Sequence, residues 1–581
     1  MCGIIGYIGR RDAAPLIIEG LKKLEYRGYD SFGVATVYAG IDIAKHQGRI
    51  SEKGGSASQL KGKAGIGHTR WATHGVPSDR NAHPHTDCTG TIALVHNGIV
   101  ENYASLKREL ESRGHTFRSE TDTEVIVHLV EEEYAKKPDL LAAVQAVIPR
   151  LEGSYAILVL AAGEDRIVAA RNASPLVIGI GDGEFFAASD MTPVIEFTER
   201  AVYLEDGDTV SLSKKNVEIF SQGKPVSRPV ELIDWSLEDV RKGGFAHYML
   251  KEIYEQPLAF YNTIRSMDPA ALPEEVLRAS SVTVVACGSS YHAGLIFKYL
   301  LEEIAGIPAR LEFASEFKYF PPPVSGLVVG ISQSGETADT LAAMKYARSA
   351  GCHTLAITNV LGSSITRSAD TTMFMRAGPE ISVAATKSFI AQLAILMHIV
   401  NRISDRKCDE ILLQAHTAVE EVLLMDLSEA VRVCEKAQNI FYVGRGPFYP
   451  VSLEGALKMK EISYIHAEGY TAGELKHGPF ALLSPETPVI ALCMPGNTYG
   501  VMISNIKEMK ARGAPVIAIG VAGDRELPDI VDLFIAVPKT PLFAQILTCL
   551  VIEQLLAYHT AVALGRDVDK PRNLAKSVTV E

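Results

Sequence analysis

Val282-Thr-Val-Val-Ala-Cys-Gly-Ser-Ser290 is a β-branched apolar run that leads into a Gly/Ser turn. About 160 residues later, Asn439-Ile-Phe-Tyr-Val-Gly-Arg-Gly446 repeats the same form. Further apolar runs alternate with helical stretches after each copy, an arrangement typical of parallel sheets with crossover helices. The sequence therefore predicts two copies of one doubly wound α/β repeat, at residues 275–415 and 430–570.

A second strand of the first repeat runs into Ile331-Ser-Gln-Ser-Gly-Glu-Thr337, a segment rich in hydroxyl groups. A helix that starts at such a turn favours a phosphate group through its dipole and its backbone N–H groups. No Gly-Lys-Ser/Thr element is present, so a nucleoside triphosphate is not implied. Ser289 and Ser290 end the neighbouring strand, and together these residues predict a site for a phosphorylated small molecule. A Ser/Thr-rich helix cap without a ligand is the alternative.

The second repeat carries groups suited to acid–base chemistry. Glu454, Lys458 and Glu461 are spaced i, i+4 and i+7, so they share one face of a helix. His477 follows in a loop framed by glycine and proline. A carboxylate, an amine and an imidazole around a phosphosugar would suit ring opening and enolisation next to a carbonyl. The alternative is an exposed ladder of Glu–Lys ion pairs.

The N-terminus supplies a nucleophile of a different kind. Removal of Met1 would leave Cys2 with a thiol and a free α-amine on one residue. An α-amine titrates near about 7.7–8 and a thiol near about 8.5, so the amine can act as base for the thiol. The thiolate could then attack an amide carbonyl. The alternative is a small buried residue that opens a strand.

Residues 1–235 read as short strands with a few helices, which predicts a layered α+β domain. Arg70, in a polar Gly-ended loop, could bind a carboxylate, or form a surface salt bridge. Asn97 and Gly98, directly after a strand, have the make-up of an oxyanion hole or of a turn. Asp122, at a helix start, could pair with an ammonium group or cap the helix. We assign His83-Pro-His85 a structural role, because no third metal ligand lies at useful spacing.

Composition limits the function classes. The chain has 581 residues, 47% of them hydrophobic, and is too long for one core. Its 57 basic and 69 acidic residues are mixed along the sequence, which argues against nucleic acid or an anionic membrane as partner. We expect no apolar run near the roughly 18 residues that span a bilayer, and a cytoplasmic protein. The eight cysteines form no C-x-x-C pair, so we expect no zinc site, no disulfides and no cofactor.

The motifs of the N-terminal domain, taken together, resemble the N-terminal-nucleophile glutamine amidotransferase domain. They are Cys2-Gly-Ile4, Leu24-Glu-Tyr-Arg-Gly-Tyr-Asp-Ser31, Thr69-Arg-Trp-Ala-Thr-His-Gly75, Asn81-Ala-His-Pro-His85, His96-Asn-Gly98 and Thr121-Asp-Thr-Glu124. The resemblance implies glutamine hydrolysis through a γ-glutamyl thioester at Cys2. It also implies that Arg70 holds the α-carboxylate of glutamine, Asp122 its α-ammonium, and Asn97 with the Gly98 N–H the oxyanion. Thr73 and His74 would complete the pocket.

The whole chain, with its two sugar isomerase repeats and the ending Lys570-Pro-Arg-Asn-Leu-Ala-Lys-Ser-Val-Thr-Val-Glu581, resembles the glucosamine-6-phosphate synthase family. The resemblance implies synthesis of glucosamine 6-phosphate from fructose 6-phosphate and glutamine, the first committed step toward UDP-N-acetylglucosamine, by a homodimer. His477 would open the sugar ring across the dimer interface, Glu461 would move the proton with Lys458 beside it, and Lys576 would engage the carbonyl. The sugar phosphate would be bound by Ser290, Ser332, Gln333, Ser334 and Thr337. Trp71 and the C-terminal tail would gate an ammonia channel.

The polar stretch 234–245, which ends in a Gly pair, predicts a linker and helical entry segment at residues 236–270. The C-terminal tail is 571–581. Two features depart from the family pattern. Ala385 stands where serine is usual, which affects one sugar hydroxyl contact, and no long insert is visible, which predicts weak or absent feedback inhibition by the UDP-sugar product. The alternatives are another phosphosugar acceptor and a non-catalytic phosphosugar sensor. Neither the acidic pair of a phosphoribosyl-pyrophosphate site nor the pyrophosphate loop of an asparagine synthetase is found.

Overall fold

A computed structural model describes residues 2–233, 241–267, 272–404 and 409–578. The chain folds into two compact units. The first comprises Met1–Val240 with Glu336–Ala338 and Ala575–Glu581, and the second comprises Arg241–Gly335 with Asp339–Leu574. Parts of the linker and tail predicted at 236–270 and 571–581 lie outside the described residues, as does Met1.

The first unit is mostly antiparallel sheet. Its strands are β1 Gly3–Ile8, β2 Ser31–Val37, β3 Ile41–Gln47, β4 Ala64–Arg70, β5 His85–Thr86, β6 Ile92–Val100, β7 Gly153–Ala161, β8 Arg166–Asn172, β9 Val177–Ile180, β10 Phe185–Ala188, β11 Arg200–Tyr203, β12 Asp208–Ser213, β13 Val217–Ser221, β14 Lys224–Val226 and β15 Glu231–Leu232. Its helices are α1 Ala13–Leu24, α2 Ile50–Ala57, α3 Tyr103–Ser112, α4 Glu124–Lys136 and α5 Leu140–Val147.

These strands form two sheets, of order β15-β11-β9-β10-β1-β4-β2-β3 and β14-β13-β12-β8-β7-β6-β5. Side chains alternate across β1, as a strand requires. Ile4 and Ile8 pack toward the second sheet, whereas Ile5 and Tyr7 pack under α1 and α2. Helices α3, α4 and α5 cover the other face of the second sheet. The result is the predicted layered sandwich, with β1 at its centre.

Two local predictions in this unit were wrong. Asn97 and Gly98 do not follow a strand; they lie inside β6, which continues to Val100. Arg70 is not in a loop but is the buried last residue of β4. In both cases polar residues continue a strand because they face the site around Cys2 rather than solvent, so the apolar pattern ends before the strand does.

The second unit contains two five-stranded parallel sheets. Its strands are β16 Val282–Ala286, β17 Ala309–Phe313, β18 Leu327–Ile331, β19 His353–Thr358, β20 Thr371–Phe374, β21 Asn439–Gly444, β22 His466–Thr471, β23 Val489–Leu492, β24 Val516–Val521 and β25 Leu533–Val537. Its helices are α6 Tyr248–Tyr254, α7 Gln256–Ser266, α8 Glu274–Leu277, α9 Gly288–Leu300, α10 Ala314–Phe317, α11 Ala338–Ser349, α12 Ser364–Ser368, α13 Lys387–Ile403, α14 Asp409–Leu423, α15 Ser428–Cys434, α16 Phe448–Ser463, α17 Tyr499–Lys510, α18 Leu527–Ile530 and α19 Leu542–Ala563.

The two sheets have the same strand order, β17-β16-β18-β19-β20 and β22-β21-β23-β24-β25, and every pairing is parallel. This confirms the predicted repeat of a doubly wound α/β unit. In such sheets ligands bind beyond the carboxyl ends of the strands, where the strand order reverses. Here that point lies between β16 and β18 in the first repeat, and between β21 and β23 in the second.

Helix α19 corrects one expectation about the sequence. At 22 residues with a mean hydropathy of 1.5 over its most apolar window, it is long and apolar enough to cross a membrane, although no such run was expected. Its apolar window is 83% buried inside the unit. Most of its side chains join the core that both repeats share. The helix is hydrophobic on all sides because it is enclosed by protein on all sides.

Candidate active sites

Cys2 lies directly before β1, the central strand of the first sheet. Its Sγ accepts a hydrogen bond from the Trp71 N–H at 3.3 Å and lies 3.5 Å from the Trp71 carbonyl oxygen. Burial raises the pKa of the Cys2 thiol, while the Trp71 N–H and the Arg70 charge act in the opposite direction. The resting thiol is therefore protonated at neutral pH, and its attack on a carbonyl needs a base close by.

Asn97 is held against the nucleophile. Its Nδ2 donates to the Cys2 carbonyl oxygen and to Ser189 Oγ, each at 3.0 Å. Ser189 Oγ also accepts from the Ile4 N–H at 2.7 Å, so this serine ties Asn97 to β1. Ser189 was missed by the sequence reasoning, since a single serine at a strand end carries no pattern. A substrate oxyanion that binds Asn97 Nδ2 would replace one of its two present acceptors.

No residue with a Cβ fits at position 98 in this backbone. Its φ is +133°, a conformation that residues with a Cβ rarely adopt. A Cβ at Gly98 would lie 2.0 Å from the Ser154 carbonyl oxygen on β7. The close approach of the two strands here fixes the backbone next to Asn97, as an oxyanion hole made of a backbone N–H requires.

Arg70 is 3% exposed, and its Nη2 donates to the carbonyl oxygens of His74 and Gly75. Its Nη1 has no hydrogen-bond partner among the described residues. Burial lowers the pKa of Arg70, while the charges of Cys2, Asp122 and Asp30 counteract that effect. A buried guanidinium nitrogen without an acceptor is costly, so this geometry favours a bound anion.

Asp122 lies just before α4 and is 4% exposed. Its Oδ2 accepts from the Val100 N–H at 2.8 Å, at the end of β6. The alternative that Asp122 caps the helix is wrong, because Thr123 occupies the N-cap position and no side chain caps α4. The charges of Arg70 and Asp122 both act on the Cys2 thiol. The structure thus brings a cation and an anion together around the nucleophile.

The remaining predicted residues of this site lie on one segment, Trp71–Gly75. Trp71 is half-buried, with its ring edge-on to Tyr29 at 5.9 Å, and Thr73 is exposed. His74 packs against the Tyr103 ring at 5.4 Å. The hydrogen bonds from Arg70 to the His74 and Gly75 carbonyl oxygens hold the backbone of this segment. Part of the segment is open to solvent, at Thr73.

The histidines near the site are buried, which is compatible with the structural role predicted for His83 and His85. Both are buried, and burial lowers their pKa values well below the ordinary range. His68, stacked on His83 at 4.1 Å, has a pKa lowered by burial to about 3. These imidazoles stay neutral at physiological pH and pack as polar core groups.

The second candidate site lies where the strand order of the first repeat reverses. Ser289 and Ser290 begin α9 directly after β16, and Ser332 follows β18. Ser332 Oγ accepts from the Gly335 N–H at 3.1 Å. Gly335 has φ +65°, and a Cβ there would lie 2.2 Å from Ser363 Oγ. The Gly335 conformation closes the Ser332 turn tightly ahead of α11.

Other residues shape this turn. The Gln333 carbonyl oxygen accepts from the Asn359 N–H at 3.0 Å, and Ser334 and Thr337 are half-buried. Ser290 Oγ accepts from Gln392 Nε2 on α13 at 3.1 Å, whereas Gln392 Oε1 has no partner among the described residues. Gln392 was not predicted, because it lies in an apolar helix with no recognisable motif.

The three charged residues of α16 lie on one face, as predicted. Lys458 Nζ is 2.6 Å from Glu461 Oε2 and 3.4 Å from Glu454 Oε1. Lys458 and Glu454 are fully buried, so the alternative of an exposed ladder is wrong. Burial would lower the pKa of Lys458, but the Glu461 and Glu454 carboxylates outweigh it and raise that pKa. Lys458 therefore stays charged and acts as a fixed cation.

This cluster joins the two repeats. Ser289 Oγ on α9 donates to Glu454 Oε1 at 2.8 Å and accepts from Lys458 Nζ at 3.2 Å. His292 Nδ1, also on α9, lies 2.7 Å from Glu454 Oε2. Burial would raise the pKa of Glu454, yet Lys458 and His292 lower it. His292 was missed by the sequence reasoning, because its partner lies 162 positions away.

The other two residues predicted for this half, His477 and Lys576, are not on α9 or α16. His477 ends a short 3₁₀ helix, Glu474–His477, and is exposed. Within the described residues no hydrogen bond joins it to α16. Lys576 lies in the tail, where the Val578 carbonyl oxygen accepts from the Ala338 N–H that opens α11.

Models of protein families match the chain in three places. The model described as a glutamine amidotransferase domain matches residues 68–196, and the SIS domain model matches residues 275–402 and 434–564. A relative from Methanosarcina acetivorans, named glutamine–fructose-6-phosphate aminotransferase (isomerizing), is 47% identical, with 100% of both chains covered. The chain belongs to this family. A member from Thermus thermophilus is 46% identical over the same full coverage.

Solved structures agree with the family for the second unit. The C-terminal domain of glucosamine-fructose-6-phosphate aminotransferase from Francisella tularensis is 34% identical with a TM-score of 0.51. It covers 57% of this chain and 99% of its own. A phosphosugar isomerase structure from Silicibacter pomeroyi matches with 25% identity and a TM-score of 0.51, covering 56% of this chain and 100% of its own. The amidotransferase and isomerase halves therefore belong to one aminotransferase of this family.

Proposed function

We propose that the chain makes glucosamine 6-phosphate and glutamate from fructose 6-phosphate and glutamine, as a cytoplasmic homodimer. The observation that carries the proposal is the buried Lys458 between Glu454 and Glu461, linked to Ser289 of the other repeat. A buried cation between two carboxylates is expensive to maintain as a structural element alone. Its position beside the strand-order reversal suits a substrate whose charge changes during reaction.

In the glutaminase half, removal of Met1 would free the Cys2 α-amine to take the thiol proton. The thiolate then attacks the glutamine amide carbon, and Asn97 Nδ2 and the Gly98 N–H stabilise the oxyanion. The proton is returned to the amide nitrogen, which leaves as ammonia, and water then hydrolyses the thioester to glutamate. Arg70 Nη1 binds the α-carboxylate of glutamine and Asp122 its α-ammonium, while Thr73 and His74 line the pocket.

In the isomerase half, Ser290, Ser332, Gln333, Ser334 and Thr337 bind the sugar phosphate. His477 of the partner subunit opens the ring, and Lys576 engages the C2 carbonyl. Ammonia replaces the carbonyl oxygen as an imine, with loss of water. Glu461 then takes a proton from C1 and delivers one to C2, which leaves an amine on C2 and an aldehyde at C1.

Lys458 assists the Glu461 proton transfer as a fixed positive charge. Because its pKa is raised, it stays charged beside the Glu461 carboxylate that is to accept the C1 proton. Trp71 and the tail at 571–581 gate the passage of ammonia between the two reactions. Ser289, held between Lys458 and Glu454, orients this charge toward the sugar.

Product analysis tests the proposal. The protein is incubated with glutamine and fructose 6-phosphate, and glutamate and glucosamine 6-phosphate are quantified. Equal amounts are expected. Glutamate without an amino sugar would indicate another phosphosugar acceptor, to be sought among other ketose phosphates, and the absence of both products would favour a phosphosugar sensor.

A variant tests the role of Glu461 within this reaction. Glu461→Gln should lower amino sugar formation by about 10²–10⁴-fold, the usual contribution of a positioned acid–base group. Glutamine hydrolysis by the same variant should stay at the wild-type rate. Glu486→Gln, at an exposed position, is the matched control and should change neither activity.

A further inference from the structure

A cluster of four metal-ligating side chains lies in the first unit, away from Cys2 in sequence. It consists of Cys88 after β5, His115 after α3, and His128 and Glu131 on α4. One ligand atom from each of the four lies within 4.8 Å of every other. Cysteine spacing predicted no zinc site, because these ligands come from three separate elements rather than from a C-x-x-C pair.

The distances from Cys88 to the two imidazoles are close to the ligand spacing around one ion, whereas the distances from Glu131 are shorter by a few tenths of an ångström. Cys88 Sγ lies 3.5 Å from His115 Nδ1 and 3.7 Å from His128 Nδ1. Glu131 Oε2 lies 3.1 Å from His115 Nδ1 and 2.9 Å from His128 Nδ1. Tetrahedral zinc, with bonds of about 2.3 Å to sulfur and about 2.0–2.1 Å to nitrogen and oxygen, separates its ligands by about 3.3–3.6 Å.

The outer nitrogens of both imidazoles face carboxylates. His115 Nε2 lies 3.3 Å from Glu132 Oε1, and His128 Nε2 lies 3.7 Å from Glu124 Oε1. This is the arrangement of metal-bound histidines, in which the inner nitrogen binds the ion and the outer N–H faces a carboxylate.

We propose that Cys88, His115, His128 and Glu131 bind a divalent metal ion of the zinc type. Thiolate, imidazole and carboxylate together in a four-ligand set select zinc over magnesium or calcium. Four protein ligands leave no open coordination position, so the site is structural rather than catalytic. On binding, the ion replaces the thiol proton of Cys88, which passes to solvent.

The proposed site lies at both ends of the segment 115–128, which carries Asp122 of the proposed glutamine pocket. Glu124, which faces His128, accepts hydrogen bonds from the Arg118 N–H at 2.7 Å and the Ser119 N–H at 2.6 Å. These residues lead directly to Asp122. An ion that fixes His115 and His128 would therefore hold both ends of the chain that carries Asp122. The proposal itself does not depend on the function assigned to that carboxylate.

Metal analysis of untagged protein tests the site. Protein from zinc-supplemented cells is dialysed, and its metal content per chain is measured by mass spectrometry. About one zinc per chain is expected for the wild type and for the control Cys352→Ser, which alters a buried thiol outside the cluster. Cys88→Ser and His115→Gln should lose most of the metal. Metal content near zero in the wild type, or content unchanged in both variants, would overturn the proposal.

Cobalt substitution provides a readout that does not depend on how well each variant retains zinc. Co²⁺ added to chelator-treated wild type should give a thiolate-to-cobalt charge-transfer band and the intense d–d bands of four-coordination. Cys88→Ser should lose the charge-transfer band, while Cys352→Ser keeps it. A circular dichroism spectrum equal to that of the wild type shows that each variant is folded. A cobalt spectrum without the thiolate band in the wild type would contradict the proposed ligands.

Discussion

The Cys2 site is assembled within one sandwich, whereas the Lys458 cluster joins two repeats. Around Cys2, β4 of the same sheet and β6 of the second sheet place Arg70 and Asn97 beside the nucleophile, and both side chains donate hydrogen bonds to backbone carbonyl oxygens. Around Lys458, side chains from α9 and α16 satisfy one another's charges. The comparison teaches that the first site depends on backbone geometry and the second on electrostatic balance. Substitutions should therefore damage them in different ways.

Lys458→Met should give the largest effect, because it leaves Glu454 buried without its main counter-charge. Removing one partner of a buried pair costs about 3–5 kcal/mol of stability. Amino sugar formation should fall by about 10³-fold with either glutamine or ammonia, since a preorganised charge beside the sugar is lost. Thermal unfolding and product assays measure both effects.

Lys460→Met is the control on the same helix, because Lys460 is exposed. It should change neither stability nor synthesis. A Lys458→Met variant with wild-type synthesis would show that the buried charge cluster is structural, and the contrast between the two sites would then fail.

Gly98→Ala tests the dependence of the first site on backbone geometry. The added Cβ would collide with the Ser154 carbonyl oxygen and would require a strained φ. Glutamine hydrolysis should fall by about 10²-fold as the oxyanion donors move. Synthesis from free ammonia should stay close to the wild-type rate.

Gly163→Ala is the control that separates the effect of backbone strain alone from an effect at the oxyanion hole. Gly163 has φ +84° and open space around its Cβ position, so it shares the strain of Gly98 without the collision. The rates of glutamine hydrolysis by Gly98→Ala and Gly163→Ala are compared by steady-state kinetics. Equal losses in the two variants would contradict the assignment of Gly98 to the oxyanion hole.

Asp122→Asn should have a smaller effect, confined to the reactions that use glutamine. The amide keeps the shape of the side chain but removes the charge that would bind the α-ammonium, a loss of about 1.5–3 kcal/mol. We therefore expect a rise of about 10–100-fold in KM for glutamine with ammonia-dependent synthesis unchanged. Asp42→Asn, at an exposed position of β3, is the control. A lower kcat at unchanged KM would argue against a binding role.

Glu553→Gln should have the smallest effect, and it concerns stability near the Lys458 cluster. Burial raises the pKa of Glu553 well above its usual range, and Glu454 adds to this, so the folded protein keeps a proton on Glu553 at pH 7. The unfolded chain releases that proton above about pH 4.3. Folding therefore becomes less favourable as pH rises, and glutamine removes this cost.

Thermal unfolding at two pH values checks this prediction. The Glu553→Gln variant should unfold at a higher temperature than the wild type at pH 8, with a smaller difference at pH 5. Glu429→Gln, exposed on α15, should show no difference at either pH. A gain that does not depend on pH would contradict the protonated state of Glu553.

The sequence predicts well what depends on local patterns. The strands β16 and β21 begin at Val282 and Asn439, the first residues of the predicted apolar runs, because β-branched runs and flanking glycines determine them. The face shared by Glu454, Lys458 and Glu461 follows from helical spacing alone. The Arg70 and Asn97–Gly98 motifs, in contrast, were not predicted to lie inside their strands.

The sequence predicts poorly what depends on pairing between distant segments. Ser189, Gln392 and His292 are single polar residues whose partners lie 92, 102 and 162 positions away. Burial of Lys458 was likewise not predictable, since charged residues on a helix face usually point to solvent. The Cys88 cluster has the same character, because topology rather than sequence spacing brings its ligands together.

Cys2→Ala is the most direct test of the two-site account. Intact mass first confirms that Met1 is removed from the wild type. The variant is then assayed for glucosamine 6-phosphate with glutamine and with ammonium as nitrogen source. The account predicts that synthesis from glutamine is abolished while synthesis from ammonia continues at the wild-type rate. Glutamine-dependent synthesis by the variant, or loss of both activities in a folded protein, would contradict it.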